Sequence, residues 1–183
     1  LIEYYKGIFT ILSSCASRQL EEVTFRRTVI PVQELLDAAG KYFKKLMKNR
    51  PERIELEIEP MEAKVIGDVN QLRFLLENLI DEALTVREDG VIRLQARLDN
   101  EYIRFLFTDT RREKSVEELN QLFYPNLARM TSGEKGELRG TEYLVCKQII
   151  RDHDEFAGRR GCRINAEPAE GGGFTVYFTI PHR

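Results

Sequence analysis

Residues 91–110 read VIRLQARLDNEYIRFLFTDT. Ile92, Leu94, Ala96 and Leu98 alternate with polar neighbours, Asp99-Asn100 supplies a turn, and Ile103, Phe105 and Phe107 resume the alternation. Successive side chains of a strand point to opposite faces, so this stretch predicts a β-hairpin with one buried face. A second hairpin is predicted near the end of the chain, where Ile164 and Ala166, then Phe174, Val176, Phe178 and Ile180, alternate across Gly171 to Gly173.

The apolar period changes outside these hairpins. Glu22 onward is β-rich through VTFRRTVI, and Pro31 ends that run; Val32, Leu35, Leu36, Ala39, Phe43, Leu46 and Met47 then recur at helical spacing. Ile54, Leu56 and Ile58 mark a strand, Ala63 to Ile66 a shorter one, and Gly67-Asp68 opens a second amphipathic helix over 70–86. A short helical segment is expected at 116–123 and a third long helix through Leu144, Val145, Ile149 and Ile150. Between them PNLARMTSGEKGELRG, residues 125–140, reads as a mobile loop rich in glycine and charge. The sum is an α+β, two-layer sandwich: a mixed sheet with about three helices on one face.

Leu1, Tyr5, Ile8, Leu12 and Cys15 share a stripe that is in phase from the first residue. This predicts a bundle helix over 1–21, cut from a longer chain, whose partner lies upstream or on a second copy, followed by the sandwich over 22–183. The cations Lys41, Lys44, Lys45, Lys48 and Arg50 on the helix after Pro31 read as a solvated face. Asp152, His153 and Asp154 read as complementing a helix C-terminus rather than as a catalytic cluster.

An apolar fraction of 42% puts the chain among globular proteins. A net charge of -2, from 28 Lys+Arg against 30 Asp+Glu, gives no broad electrostatic case for a nucleic-acid partner or for membrane contact. No apolar run approaches the roughly 18 residues that span a bilayer. Cys15, Cys146 and Cys162 form no CxxC pair, which fits a reducing, cytoplasmic setting, that of a soluble protein or of the inner part of a membrane-anchored one. With His153 and His182 the only histidines, zinc has little to stand on, and any metal would be a hard cation on oxygen ligands.

The ordered series NLIDEA (78–83), a hairpin ending in FTDT (107–110), a glycine-bearing loop, VCKQII (145–150) and GGGFTVYFTIP (171–181) resembles the ATP-binding catalytic domain of sensor histidine kinases. That superfamily includes the gyrase and mismatch-repair ATPases, and the resemblance runs from about Val23 to Pro181. It implies ATP and Mg²⁺ as cofactors, a response regulator as partner, and a homodimer built through the first helix and an upstream dimerisation helix. The phospho-accepting histidine would lie upstream of Leu1, since none precedes His153.

The resemblance also carries over residue by residue. In the family's NLLxNA box the first Asn is Asn78, while Glu82 stands where the family has a second, Mg²⁺-binding Asn; a carboxylate oxygen can serve that metal too. In the DxGxG box Asp109, which would accept from the adenine amino group, is kept, but Arg111 and Glu113 replace the glycines. Arg111 and Arg112 are then either bidentate partners for phosphate oxygens or loop charges over a blocked pocket. In the GxGLGL box only Gly140 remains, Glu142 competes with phosphate for the helix N-terminus, and Gly133 and Gly136 leave a flexible lid. The resemblance thus implies a domain that transfers the ATP γ-phosphate to a histidine outside this sequence. Its eroded boxes imply the alternative, a pseudokinase-like interaction module without ATP turnover. No catalytic residue is assigned, and Glu82 lies one helical turn from where the superfamily's hydrolases carry their general base.

Overall fold

The computed structural model describes residues 25–125, 131–132 and 138–183, with the backbone alone at 131, 132, 138 and 139. The predicted bundle helix over 1–21 and the glycines 133 and 136 lie outside the described residues.

The chain runs β1 (Thr28–Pro31), α1 (Val32–Met47), β2 (Ile54–Ile58), β3 (Lys64–Gly67) and α2 (Val69–Ala83). It continues through β4 (Gly90–Asp99), β5 (Tyr102–Asp109), α3 (Val116–Gln121), β6 (Thr131–Ser132) and β7 (Leu138–Arg139). It closes with α4 (Glu142–Phe156), β8 (Ile164–Pro168) and β9 (Phe174–Pro181). Five strands form one mixed sheet in the order β2-β4-β5-β9-β8, with β2 parallel to β4 and the other pairs antiparallel. β1 and β3 make a separate antiparallel pair.

Register follows the alternation in the sequence. Phe105 faces Phe178 across β5 and β9 with rings stacked 4.8 Å apart, and Ile92, Leu94, Ile103, Val176 and Ile180 share that buried side. The long helices cover it with Leu35, Leu36, Leu72, Leu75, Leu76, Leu79, Cys146 and Ile149, each no more than 1% exposed. The opposite face is polar: Arg93 reaches the opposed Glu57 at 3.1 Å, and Thr108 meets Thr175 through hydroxyls 2.7 Å apart.

Four expectations need adjustment. Of the described part of the β-rich run, Phe25, Arg26 and Arg27 stay outside the strand, which is Thr28–Pro31, and the segment over 125–140 carries a short ladder pairing Thr131 with Arg139 and Ser132 with Leu138. Among the described residues there are four helices, the fourth being the single short turn pair of α3. α2 stops at Ala83 rather than near Val86: the N–H groups of Thr85 and Val86 bond the carbonyls of Glu82 and Ala83 only three residues back, and the Thr85 hydroxyl also donates to the Glu82 carbonyl.

The N-terminus of α2 is a junction. Asp68 caps it by accepting from the backbone N–H of Asn70 and Gln71, accepts from Arg26 N–H at 2.9 Å, and donates its own N–H to His153 Nε2 at 3.0 Å. His153 Nδ1 donates to the Ile149 carbonyl at 2.8 Å, and Phe25 packs edge-on against the ring. His153 is therefore fully buried inside the junction, not an exposed complement to the end of α4, and burial pushes its pKa down to about 4, so it is neutral. Gly67 makes room for it, since a Cβ there would lie 2.8 Å from the imidazole. Asp68→Ala is expected to cost about 1–2 kcal/mol, with Asp68→Asn costing less, in denaturant midpoints; equal losses would show that the cap is not what Asp68 contributes.

Candidate functional site

The strand β5 ends at Asp109, 2% exposed, between Ile92 of β4 and Phe174 of β9. Backbone crowds it closely: a Cβ on Gly173, at φ +85°, would stand 2.1 Å from the Asp109 carbonyl oxygen. After Asp109 the chain turns, with the Arg111 N–H donating back to Asp109 Oδ1 at 3.0 Å. That turn folds the Arg111 side chain over the carboxylate instead of out toward solvent.

The Arg111 guanidinium is 1% exposed. Its Nε donates to Asp109 Oδ1 and its Nη2 to Asp109 Oδ2, each at 2.9 Å, a bidentate pair. Nη2 also donates to the Ala83 carbonyl at 2.6 Å, and Nη1 to the carbonyls of Val86 at 3.0 Å and Glu88 at 2.9 Å. All five N–H donors of the group are thus engaged. Gly90, at φ +145°, admits the aliphatic stem, since a Cβ there would meet Arg111 Cγ at 2.6 Å.

Of these carbonyls, that of Ala83 is the last of α2, which has no basic residue in its last turn, and those of Val86 and Glu88 lie in the loop beyond it. Helix ends leave carbonyls unpaired and favour positive charge. Arg111 supplies both from across the fold, and Arg50 does the same from another side, donating to the Leu84 carbonyl at 2.7 Å.

Arg112 is placed differently. Its Nε lies 3.9 Å from Asp109 Oδ2, its guanidinium sits 5.9 Å from the centre of the Phe174 ring, and Lys114 approaches the same ring at 5.5 Å. Arg112 Nε and Nη2 are shielded from solvent and have no hydrogen-bond partner.

On α2, Asn78 is 7% exposed and turns its amide back to donate to the Phe74 carbonyl at 2.8 Å. Glu82 follows one turn later. Burial first, then the charges of Glu142 and Glu82, raise the pKa of the fully buried Cys146 thiol, whose Sγ lies 3.6 Å from the Leu75 carbonyl of α2. Gly140 adopts φ +82° just before α4, whose N-cap Thr141 makes no side-chain cap, and Glu142 Oε2 is buried without a hydrogen-bond partner. Among the described residues no three His, Cys, Asp or Glu side chains group as a metal site.

The fold therefore joins Asp109, Arg111 and Arg112 at one end of β5 and ties them through the Ala83 carbonyl to the helix bearing Asn78 and Glu82. The role of Arg111 as partner to Asp109 and cap to α2 was missed from sequence, as were the carbonyls of Ala83, Val86 and Glu88. The available signals were the Asp-x-Arg spacing and an α2 end lacking its own cation.

No helix among the described residues is long and apolar enough to cross a membrane. No curated protein matches the sequence closely enough to count as a relative. Among solved structures, a mycobacterial sensor histidine kinase, MprB, is similar at 18% identity and TM-score 0.66, covering 86% of this chain and 99% of that one. The nucleotide-free catalytic domain of histidine kinase ThkA is similar at 21% identity and TM-score 0.65, covering 85% and 97%. ThkA in complex with the response regulator protein TrrA is similar at 19% identity and TM-score 0.65, covering 97% of this chain and 49% of that one. Identities at this level establish a shared fold. The profile of histidine kinase-, DNA gyrase B- and HSP90-like ATPases matches residues 67–183, more than half of the sequence, and this chain belongs to that family.

Proposed function

We propose that this chain is the ATPase-fold domain of a two-component sensor that works as a signalling interaction module, without turning over ATP. The observation that carries this reading is the closed pair at Asp109. Family membership implies a nucleotide, and we read the residues present as not fitting one. Adenine would have to displace a buried guanidinium whose five donors are all bonded. Breaking a buried pair by removing one partner costs about 3–5 kcal/mol, comparable to the whole affinity of a weak ligand. At the N-terminus of α4, where a phosphate would seek the free N–H groups, Glu142 already places a carboxylate in the first turn. The partners proposed are an upstream dimerisation helix, a second copy of the chain and a response regulator, the last in keeping with the ThkA–TrrA complex.

A second reading keeps the ATP-binding catalytic domain, with γ-phosphate transfer to an upstream histidine; Asp109 at a strand end and Gly140 at positive φ before α4 favour it. Thermal unfolding with ATP or ADP, each with Mg²⁺ or chelator, separates the two. Ligand at about 100 times its Kd adds roughly 2.7 kcal/mol, so binding is easily seen. No change in midpoint at millimolar nucleotide is the expected result. A Mg²⁺-dependent rise, matched by displacement of a fluorescent ATP analogue, would overturn the proposal.

A further inference from the structure

We infer that the space around Asp109 has become a guanidinium cradle, built to take a planar five-donor cation and to reject adenine, with Arg111 as its resident ligand. This rests on the reading above and specifies the ligand chemistry of the same site.

The cradle presents five acceptors: Asp109 Oδ1 and Oδ2 and the carbonyl oxygens of Ala83, Val86 and Glu88, at 2.6 to 3.0 Å from the donors they receive. A guanidinium offers five N–H donors in one plane and no acceptor, so it matches that set one for one. Adenine offers two donors on its amino group and ring nitrogens that are acceptors, which would face carbonyl oxygens with no hydrogen between them. A neutral base would also leave the Asp109 charge, 2% exposed, with only the more distant Arg112 Nε, 3.9 Å away, as counter-charge. The Ala83 carbonyl is at the negative end of α2, adding a further preference for a cation. The alkyl stem has its own room beside the head group, because Gly90 carries no Cβ where Arg111 Cγ and Cδ lie. The site therefore recognises a short alkylguanidinium.

Chemical rescue tests this. In Arg111→Ala, millimolar ethylguanidinium is expected to raise the unfolding midpoint by several degrees, saturably, with no rise in the wild type and a smaller one from ethylammonium. Adenosine and Mg²⁺-ATP are expected to leave the variant unchanged. If the variant is unfolded alone, ethylguanidinium is expected to restore its folded circular dichroism signal. Two results overturn the inference: no rescue by ethylguanidinium, or stabilisation of the variant by adenosine or ATP, which would make Arg111 a plug over an intact adenine site. These arms are independent of the functional proposal, which fails only if the wild type binds nucleotide.

Discussion

Arg111→Ala is expected to destabilise the protein by about 3–5 kcal/mol, a fall on the order of 10 °C in unfolding midpoint. The loss has two parts. The Asp109 carboxylate, 2% exposed in the wild type, loses its bidentate counter-ion; the carbonyls of Val86 and Glu88 lose their Arg111 donor, and that of Ala83 keeps only the Val86 N–H at 3.3 Å. Asp109→Asn attacks the same pair from the other side, leaving a buried guanidinium without its anion. In the double variant neither charge is stranded, so its cost is expected to fall short of the sum of the singles by about 1–3 kcal/mol. A single-variant cost under about 0.5 kcal/mol, the size of a surface substitution, would mean that water enters and replaces the pair. Strict additivity would mean that the two residues act separately.

The second large effect is a pH dependence set by His153. Its folded pKa is about 4 against an ordinary 6.5, because burial disfavours the imidazolium; its acceptor role toward Asp68 N–H also requires the neutral ring. The unfolded chain then binds the proton more readily than the folded one. His153 contributes its full stability above about pH 6.5, and this is lost as pH falls toward 4, amounting to about 3 kcal/mol at about 1.4 kcal/mol per pH unit. The neighbouring Asp68 carboxylate favours the charged ring and limits the shift. Stability from denaturant unfolding, measured between pH 7 and pH 4, is expected to slope downward in the wild type and less steeply in His153→Gln. Parallel slopes would assign the acid sensitivity to carboxylates elsewhere.

Period and turn chemistry made the architecture legible. The alternation of Ile92 to Leu98 and Ile103 to Phe107 placed β4 and β5, and the spacing after Pro31 placed α1. Asp109 was singled out through the family resemblance rather than through periodicity, and β5 does end there. Arg111 was not legible in the same way, because periodicity says nothing of a side chain in a turn: its direction is set by an N–H returning to Asp109 and by the absence of a Cβ on Gly90, far away in sequence. The end of α2 was overextended for a related reason. The 70–86 pattern ran on past Ala83, while the backbone there tightens to hydrogen bonds three residues back, and Arg111 and Arg50 meet the Ala83 and Leu84 carbonyls from elements that sequence periodicity cannot bring together. His153 was misread because neighbouring charges at a helix end look alike on paper, and only packing against Phe25 and Gly67 distinguishes the buried one.

The cradle also has a historical consequence. A glycine at position 111 would reopen the path beside Asp109, but that single change removes a helix cap and strands a buried carboxylate at once. A lineage returning to a glycine-bearing box would have to cross that valley of instability or first soften the environment of Asp109. The stability of Arg111→Gly relative to the wild type measures the depth of the valley.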